Sequence, residues 1–201
     1  MTEIKGHCIY TDYAAQQVDD FYRIFDAFLK TIKPVRILEI GTAHGGFISA
    51  VSDIMKEVGP CDIRSYDVYE HPWYTDIIYG RNVDIRIENI FDDNWSSLKP
   101  EYVDRITSFI QGEGTTLILC DGGNKIAEFN LLSDLLKPGD FIMTHDYARN
   151  REYFQEHIEN KIWNWLEISD EYIEEAVERN NLRPFMQTEF ENIVWVCKVK
   201  Q

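Results

Sequence analysis

Three polar side chains that could hold a metal ion or move a proton follow two apolar runs of the sequence. Asp121 comes directly after the run TLILC, and His145 and Asp146 come directly after FIMT. If the two runs are neighbouring parallel strands, their carboxyl ends open onto one cleft and these side chains converge there. Such a set can bind a divalent cation, or the histidine can take a proton from a hydroxyl near neutral pH.

A glycine-rich turn follows the first strand-like run, where residues 41–46 read GTAHGG. Glycine lets the backbone turn tightly and approach a ligand, and the next helix presents unpaired N–H groups. The spacing G-x-x-x-G-G differs from the G-x-G-x-x-G that binds a pyrophosphate. A ligand that fits this loop better is S-adenosylmethionine, which has no phosphate and is a sulfonium cation with an amino-acid tail. Glu39 could face the ammonium group of that tail. The loop residues predicted to contact this cation are Gly41, Thr42, Ala43 and Gly45.

A carboxylate and a small apolar patch complete the predicted cofactor site. Asp67 ends the second predicted strand, where it can accept hydrogen bonds from both ribose hydroxyls. The predicted adenine pocket consists of Val68, Asn89, Ile90 and Phe91. In the alternative interpretation, Glu39 is only a cap and Asp67 only a turn residue.

Alternating strand and helix patterns predict the elements that position these residues. Strands are expected at 35–40, 62–67, 83–87, 115–120 and 140–144, and helices at 12–31, 46–58, 100–110, 125–136 and from about 169. Thr11 and Asp12 are the cap candidates of the first helix. The runs 183–189 and 192–200 are close enough to predict an antiparallel hairpin.

The expected fold class is therefore α/β, a Rossmann-like doubly wound sheet of seven strands, mostly parallel with a C-terminal antiparallel hairpin. We expect one domain over residues 1–201, with an N-terminal helical cap segment at 1–33 and a Rossmann-like core at 34–201.

The acidic composition narrows the possible partners. The net charge is −15 and the isoelectric point about 4.7, so the surface repels nucleic acids and anionic lipids. The sequence has neither a signal-peptide pattern nor an apolar run long enough to span a bilayer, which predicts a cytoplasmic protein without a membrane partner. The four cysteines lack C-x-x-C spacing and are expected to be reduced. Oligomeric state cannot be predicted from this pattern.

The run VRILEIGTAHGGF resembles the first motif of class I S-adenosylmethionine-dependent methyltransferases. Asp67 and the segments IENIFDD, TLILCDGG and LLKPGDFIMTHDY resemble the later motifs in order, over residues 35–147. Among these enzymes the chain is similar to the metal-dependent group of catechol O-methyltransferase, and still more to the cephalosporin-hydroxylase-like and rhamnosyl O-methyltransferases. The resemblance implies methyl transfer to a hydroxyl of a small-molecule acceptor such as a sugar, a diol or a natural product.

The resemblance also implies roles for the strand-end residues. Asp121 would be the first ligand of a magnesium ion and would border the cofactor, while His145 and Asp146 would be the paired ligands. His145 departs from the acidic or amide residue usual there, which favours manganese, iron or zinc, or else a general base without a metal. Lys125 resembles the catalytic lysine of catechol-type enzymes at a spacing one residue longer; a solvated lysine at a helix start is the more ordinary interpretation.

Two other functions remain open from the sequence: a nicotinamide-dependent oxidoreductase on a similar sheet, and a non-catalytic protein that binds S-adenosylmethionine. Several aromatic or polar residues could cover the cleft, although packing is their more ordinary role. They are Tyr10, Asp12, Tyr13, His71, Trp73, Tyr74, Trp163 and Trp165.

Overall fold

The protein, seen here as a computed structural model, is described over residues 9–10 and 13–201. Cys8, Thr11 and Asp12 lie outside the described residues. The strands are β1 (Ile9–Tyr10), β2 (Tyr13–Ala14), β3 (Arg36–Ile40), β4 (Asp62–Asp67), β5 (Val83–Ile87), β6 (Thr116–Cys120), β7 (Phe141–Thr144), β8 (Leu182–Pro184) and β9 (Val196–Lys200). The helices are α1 (Phe21–Ile32), α2 (Gly46–Val58), α3 (Tyr74–Arg81), α4 (Pro100–Gln111), α5 (Lys125–Ser133), α6 (Arg151–Tyr153), α7 (Asp170–Arg179) and α8 (Gln187–Glu191), with a π-helical turn at Phe154–Ile158.

Within the described part of the chain, seven strands form one sheet in the order β5-β4-β3-β6-β7-β9-β8. The first five strands in this order are parallel to one another, and β9 is antiparallel to both β7 and β8. The predicted fold class is therefore confirmed. Strand order reverses between β3 and β6, and the crevice at such a reversal is where ligands bind in open α/β sheets.

The register of the sheet brings the predicted site residues to one edge. Ile40 pairs with Cys120, and Cys120 pairs with Thr144, so three strands end at the same level. The Asp121 N–H donates to the Ile40 carbonyl at 2.9 Å, and the His145 N–H donates to the Cys120 carbonyl at 3.2 Å. The residues after β3, β6 and β7 consequently share one cleft.

Alternating side chains of the strands support helices on both faces of the sheet. On β6, Leu117 and Leu119 pack in a cluster with α1 and α2, whereas Ile118 and Cys120 pack in a second cluster with α4, α5 and α7. The residues predicted to face inward from α2 are all buried: Phe47, Ile48, Val51, Ile54 and Met55. Among the described residues, no helix combines the length and hydropathy that a bilayer crossing requires.

The first helix begins later than predicted, at Phe21 rather than near residue 12. The preceding residues are drawn into the protein in a non-helical conformation: Gln16 has a φ of 51°, and Gln17 is completely buried. Gln17 makes side-chain hydrogen bonds to distant parts of the chain, which an exposed helical turn could not provide. The helix packs into the same hydrophobic cluster as α2.

The C-terminal strands are antiparallel as predicted, but the link between them is longer. The strand expected over 183–189 is limited to Leu182–Pro184, and helix α8 occupies Gln187–Glu191. Phe190 on this helix is fully buried against Phe25 and Phe28, which explains why the segment leaves the sheet. Helix α3 was not predicted, and α5 ends at Ser133, three residues before the predicted end.

Candidate active site

The glycine turn after β3 is shaped by close backbone contacts. Gly41 has a φ of +92°, and a Cβ there would lie 2.3 Å from the Asp121 carbonyl oxygen. At Gly46, a Cβ would lie 2.5 Å from the Tyr13 carbonyl oxygen, so the N-terminal segment packs directly on the start of α2. Glycine is required at both positions because backbone occupies the space of a side chain.

A pocket of about 400 Å³ opens beside this turn, and we call it the larger pocket. Its walls contain most of the residues predicted to bind the cofactor: Gly41, Ala43, Asp67, Val68, Asn89, Ile90, Phe91 and Asp121. Gly122 and Gly123 from the loop after β6 and the buried Glu128 of α5 also line it. The sequence pattern did not single out these three.

Asp67 lies on the wall of the larger pocket with its carboxylate held by two backbone amides. Oδ2 accepts from the Ala43 N–H at 2.7 Å, and Oδ1 accepts from the Tyr69 N–H at 2.9 Å. A carboxylate offers about four lone-pair sites, so each oxygen keeps capacity for another donor. The geometry therefore fixes Asp67 at the pocket and leaves it able to bind a diol.

Two predicted cofactor contacts are not on the walls of the larger pocket, or of the smaller one described below. Glu39 is buried beneath the turn, where it accepts a hydrogen bond from the Ser65 hydroxyl, and burial raises its pKa well above the ordinary value. Gly45 faces Ile77, since a Cβ there would lie 2.3 Å from the Ile77 Cδ1 atom. Both residues support the turn from behind.

A second pocket of about 220 Å³, the smaller pocket, adjoins the first. The two share Gln16, Gly41, Ala43 and Asp121 on their walls, and Thr42 lines the smaller one. The other residues that line the smaller pocket are Ala14, Ala15, Phe47, Lys125, His145, Asp146, Trp163, Trp165 and Glu167. The three predicted metal ligands thus lie beside the larger pocket and inside the smaller one.

Five titratable residues form a charged cluster in the smaller pocket: Asp121, Lys125, His145, Asp146 and Glu167. His145 Nδ1 lies 3.2 Å from Asp121 Oδ1 and 3.5 Å from Asp146 Oδ1. One ligand atom from each of these three residues lies within 4.8 Å of the others. The sequence therefore predicted their convergence correctly.

Lys125 is buried at the centre of the charged cluster, so its interpretation as a solvated lysine is wrong. Its Nζ lies 3.4 Å from Asp121 Oδ1, 2.9 Å from Asp146 Oδ2 and 2.7 Å from Glu167 Oε2. Burial by itself would lower the pKa of Lys125, but the three carboxylates outweigh burial and raise that pKa. Lys125 is consequently a fixed cation here and a poor proton acceptor.

His145 is enclosed by two indole rings. Its ring stacks on Trp195 with centroids 4.9 Å apart, and it lies 5.1 Å from the Trp163 ring. Burial acts to lower the pKa of His145, but the carboxylates of Asp121 and Asp146 have the larger combined effect and raise it. The Nε2 atom has no hydrogen-bond partner among the described residues.

Asp146 adopts a left-handed backbone conformation with a φ of 57°, which aspartate tolerates better than most residues. Its Oδ1 accepts from the Trp163 indole N–H at 2.5 Å. Burial acts to raise its pKa, whereas His145 and Lys125 prevail and lower it, so Asp146 is held as a carboxylate. Trp163, for which packing is the more ordinary role, thus also orients a site carboxylate.

The aromatic segment after β4 borders the larger pocket. The rings of His44, His71 and Trp73 stack, with the last two 4.7 Å apart, and the Tyr74 hydroxyl donates to the Ala43 carbonyl. His44 and His71 line the larger pocket, whereas Trp73 and Tyr74 support the turn through hydrogen bonds to its carbonyl groups. Packing, the more ordinary role, describes most of this segment.

Two members of the site were missed by sequence reasoning. Gln17 donates to Asp121 Oδ2 at 3.3 Å from within a segment whose apolar spacing predicted a helix. Glu167 is one of 35 acidic residues, and no local motif distinguishes it. Its N–H donates to the Asp146 carbonyl at 3.0 Å, which places its side chain against Lys125.

The donors of the charged cluster fit a divalent ion that accepts nitrogen. Two carboxylates and one imidazole converge, which is a mixed set that manganese, iron and zinc accept more readily than magnesium. Lys125 also has partners outside these ligands, Glu167 Oε2 and the Gly122 carbonyl oxygen. The ammonium would therefore stay paired if Asp121 and Asp146 held an ion.

Solved structures of other proteins share the fold of this chain. An apo structure of CmcI aligns with a TM-score of 0.65 at 15% identity, over 96% of this chain and 76% of that one. A CmcI structure with Mg-SAM aligns with a TM-score of 0.61 at 14% identity, over 96% and 77% of the two chains. Human N-acetylserotonin methyltransferase in complex with SAM aligns with a TM-score of 0.53 at 12% identity, over 89% and 51%.

These structures share the fold, and the family follows from a sequence match. No curated protein matches the chain. A family model described as rhamnosyl O-methyltransferase/CmcI matches residues 10–190. The resemblance carried by the ordered motifs is confirmed, and the nicotinamide-dependent alternative is discarded. The chain belongs to the rhamnosyl O-methyltransferase/CmcI family of S-adenosylmethionine-dependent O-methyltransferases.

Proposed function

We propose that the larger pocket binds S-adenosylmethionine and that the smaller pocket binds a hydroxylated small molecule, which is methylated on oxygen beside the charged cluster. The observation that carries this proposal is the position of Asp121, which lines both pockets. Methyl transfer needs the donor and the acceptor in adjoining sites with a short path between them. Gly41 and Ala43 line both pockets as well, and they form the junction.

The walls of the larger pocket suit each part of the methyl donor. Asp67 can accept both ribose hydroxyls, and Val68, Asn89, Ile90 and Phe91 offer an apolar face and an amide to the adenine. Asp67 and Asp121 give the pocket the negative potential that favours a sulfonium cation.

The smaller pocket suits a neutral acceptor whose hydroxyl must lose a proton. Three carboxylates surround the single ammonium of Lys125, so the net charge of the charged cluster is negative when His145 is neutral. We assign Asp121, His145 and Asp146 as the ligands of a divalent ion such as manganese, iron or zinc. Such an ion, when bound, lowers the pKa of an acceptor hydroxyl.

The side chains of the charged cluster have separate tasks in this proposal. Lys125 keeps the carboxylates of Asp121 and Asp146 in place through the contacts of its Nζ atom. Trp163 orients Asp146, and Trp195 keeps the His145 ring in position by stacking. Sugars, diols and catechols offer the hydroxyl that this environment needs, and the acidic surface disfavours nucleic acid acceptors.

Calorimetry with S-adenosylhomocysteine and with NAD tests the donor, because binding of NAD alone would refute the assignment of the larger pocket.

Transfer of a labelled methyl group to a panel of sugars, diols and catechols tests the acceptor. We expect a chelator to abolish this transfer and manganese, iron or zinc to restore it. Activity that resists the chelator would refute the metal and leave His145 as the proton acceptor. If no compound of the panel is methylated, the alternative of a non-catalytic protein that binds S-adenosylmethionine would be favoured.

A further inference from the structure

A buried amide connects the N-terminal segment to the site. Gln17 is fully buried; its Nε2 donates to Asp121 Oδ2 at 3.3 Å, and its Oε1 accepts from the Trp195 indole N–H at 2.8 Å. An indole nitrogen only donates and a carboxylate only accepts. The amide therefore has one orientation that satisfies both neighbours, with its NH₂ group toward Asp121.

The same indole also contacts the charged cluster through its ring. Trp195 stacks on His145, with centroids 4.9 Å apart, and on Phe47, with centroids 5.3 Å apart. Asp121 Oδ1 faces His145 and Lys125, whereas its Oδ2 faces Gln17. The two oxygens of one carboxylate are thus held by different parts of the chain.

We propose that Gln17, locked by the Trp195 indole N–H, is a positioning residue that sets the orientation of the Asp121 carboxylate. This inference rests on the proposed role of Asp121 as a metal ligand. It adds Gln17 and Trp195, which are not ligands themselves, to the residues that shape the site. Rotation of the Gln17 amide would place its oxygen against the carboxylate and leave the indole without an acceptor, both of which are unfavourable in a buried site. Asp121 therefore keeps Oδ1 directed at His145.

Two substitutions separate this role from simple packing. Gln17→Met retains the length of the side chain and removes both hydrogen bonds. Trp195→Phe retains a six-membered ring near His145 and removes the indole N–H together with the five-membered ring. Asn180→Leu is the matched control, because Asn180 is also buried, donating to Asp134 Oδ1 at 2.6 Å and accepting from Lys200 Nζ at 3.2 Å. All three should lower the melting temperature.

The first readout is the affinity for Mn²⁺, measured by calorimetry on the full chain. We expect each of the two site variants to weaken it about tenfold, the size of one hydrogen bond to a charged group, while Asn180→Leu leaves it unchanged. The double variant should lose no more than Gln17→Met alone, because Trp195 acts through the amide. Additive losses, or an equal loss in the control, would overturn the proposal.

The second readout needs neither metal nor acceptor. In ¹⁵N-labelled protein, Asp121→Ala should shift the Trp195 indole resonance, which is assigned by its absence in Trp195→Phe. In the Gln17→Met background the same change should leave that resonance in place. The proposed coupling between Asp121 and Trp195 would be refuted if Asp121→Ala left the Trp195 indole resonance unshifted. It would also be refuted if the shift were equal in the wild-type and Gln17→Met backgrounds. A wild-type protein that binds no Mn²⁺ refutes the metal part of the proposed function, and the resonance then decides the positioning role alone.

Discussion

The two adjoining pockets differ in how the chain builds them. The larger pocket is lined mainly by residues that directly follow β3, β4, β5 and β6, and its key carboxylate, Asp67, is held by nearby backbone amides. The smaller pocket combines the segment before α1, the ends of β6 and β7 and the residues around Trp163. Its charges are satisfied mainly by other side chains, and the Gly122 carbonyl oxygen is a backbone partner of Lys125. Local turns therefore suffice for one pocket, while the other depends on long-range packing.

The largest effect is expected where the two pockets meet. Gly41→Ala should abolish both donor binding and methyl transfer and cost about 3 kcal/mol of stability, because its Cβ would lie 2.3 Å from the Asp121 carbonyl oxygen. Gly139→Ala is the control, since Gly139 has a similar φ of +87° and nothing within 4 Å of the added atom. Thermal unfolding and calorimetry compare the two, and equal losses would mean that the contact at Gly41 is unimportant.

A change confined to the smaller pocket should separate turnover from donor binding. Asp146→Asn keeps a residue that tolerates a φ of 57° but removes the charge that faces Lys125 and His145. We expect kcat to fall about 1000-fold, while the affinity for S-adenosylhomocysteine changes less than about threefold. Asp134→Asn, in an exposed ion pair with Arg179, is the control. A matching loss of donor affinity would break the distinction between the pockets.

A change confined to the larger pocket should weaken donor binding and leave metal binding unchanged. Asp67→Ala removes the acceptor for the ribose hydroxyls and frees the Ala43 and Tyr69 amides, so donor affinity should fall about 100-fold. Affinity for Mn²⁺ should stay within about twofold, because Asp67 is not among the ligands of the charged cluster. Calorimetry with each ligand measures both, with Asp84→Ala as the surface control. Loss of Mn²⁺ binding would show that the pockets are coupled.

The smallest effect concerns pH and a buried acid of the larger pocket. Burial raises the pKa of Glu128 to about 7, from an ordinary value of 4.5. The folded protein therefore binds this proton more tightly than the unfolded chain, and the resulting stability is present below 4.5 and lost as the pH rises through about 7. Between about pH 5 and pH 8, the melting temperature of the wild type should fall more steeply than that of Glu128→Gln. Parallel melting profiles would contradict the raised pKa.

The contrast between the two pockets also explains which parts of the fold and the site could be predicted from the sequence. Strand order and most of the larger pocket follow from periodicity and from residues that directly succeed strands. The burial of Lys125 could not be predicted, because it depends on Glu167, 42 residues away. Gln17 was missed because the apolar spacing around it is helical. The strand expected over 183–189 ends at Pro184 and helix α8 follows, because Phe190 packs against Phe25. Each miss reflects a tertiary contact that outweighs a local preference.

The Gln17–Trp195 hydrogen bond joins positions 178 residues apart. A ribosome releases these partners at very different times, and contacts between such distant positions form late in folding. The strands β3 to β6 and most of the larger pocket precede Trp195 in the chain and can therefore assemble before it is synthesised, whereas the hydrogen bonds proposed to orient Asp121 wait for Trp195. Maturation of the methyl-transfer site is thereby tied to the synthesis of Trp195, and a chain stalled before that residue would carry a donor pocket without an aligned carboxylate.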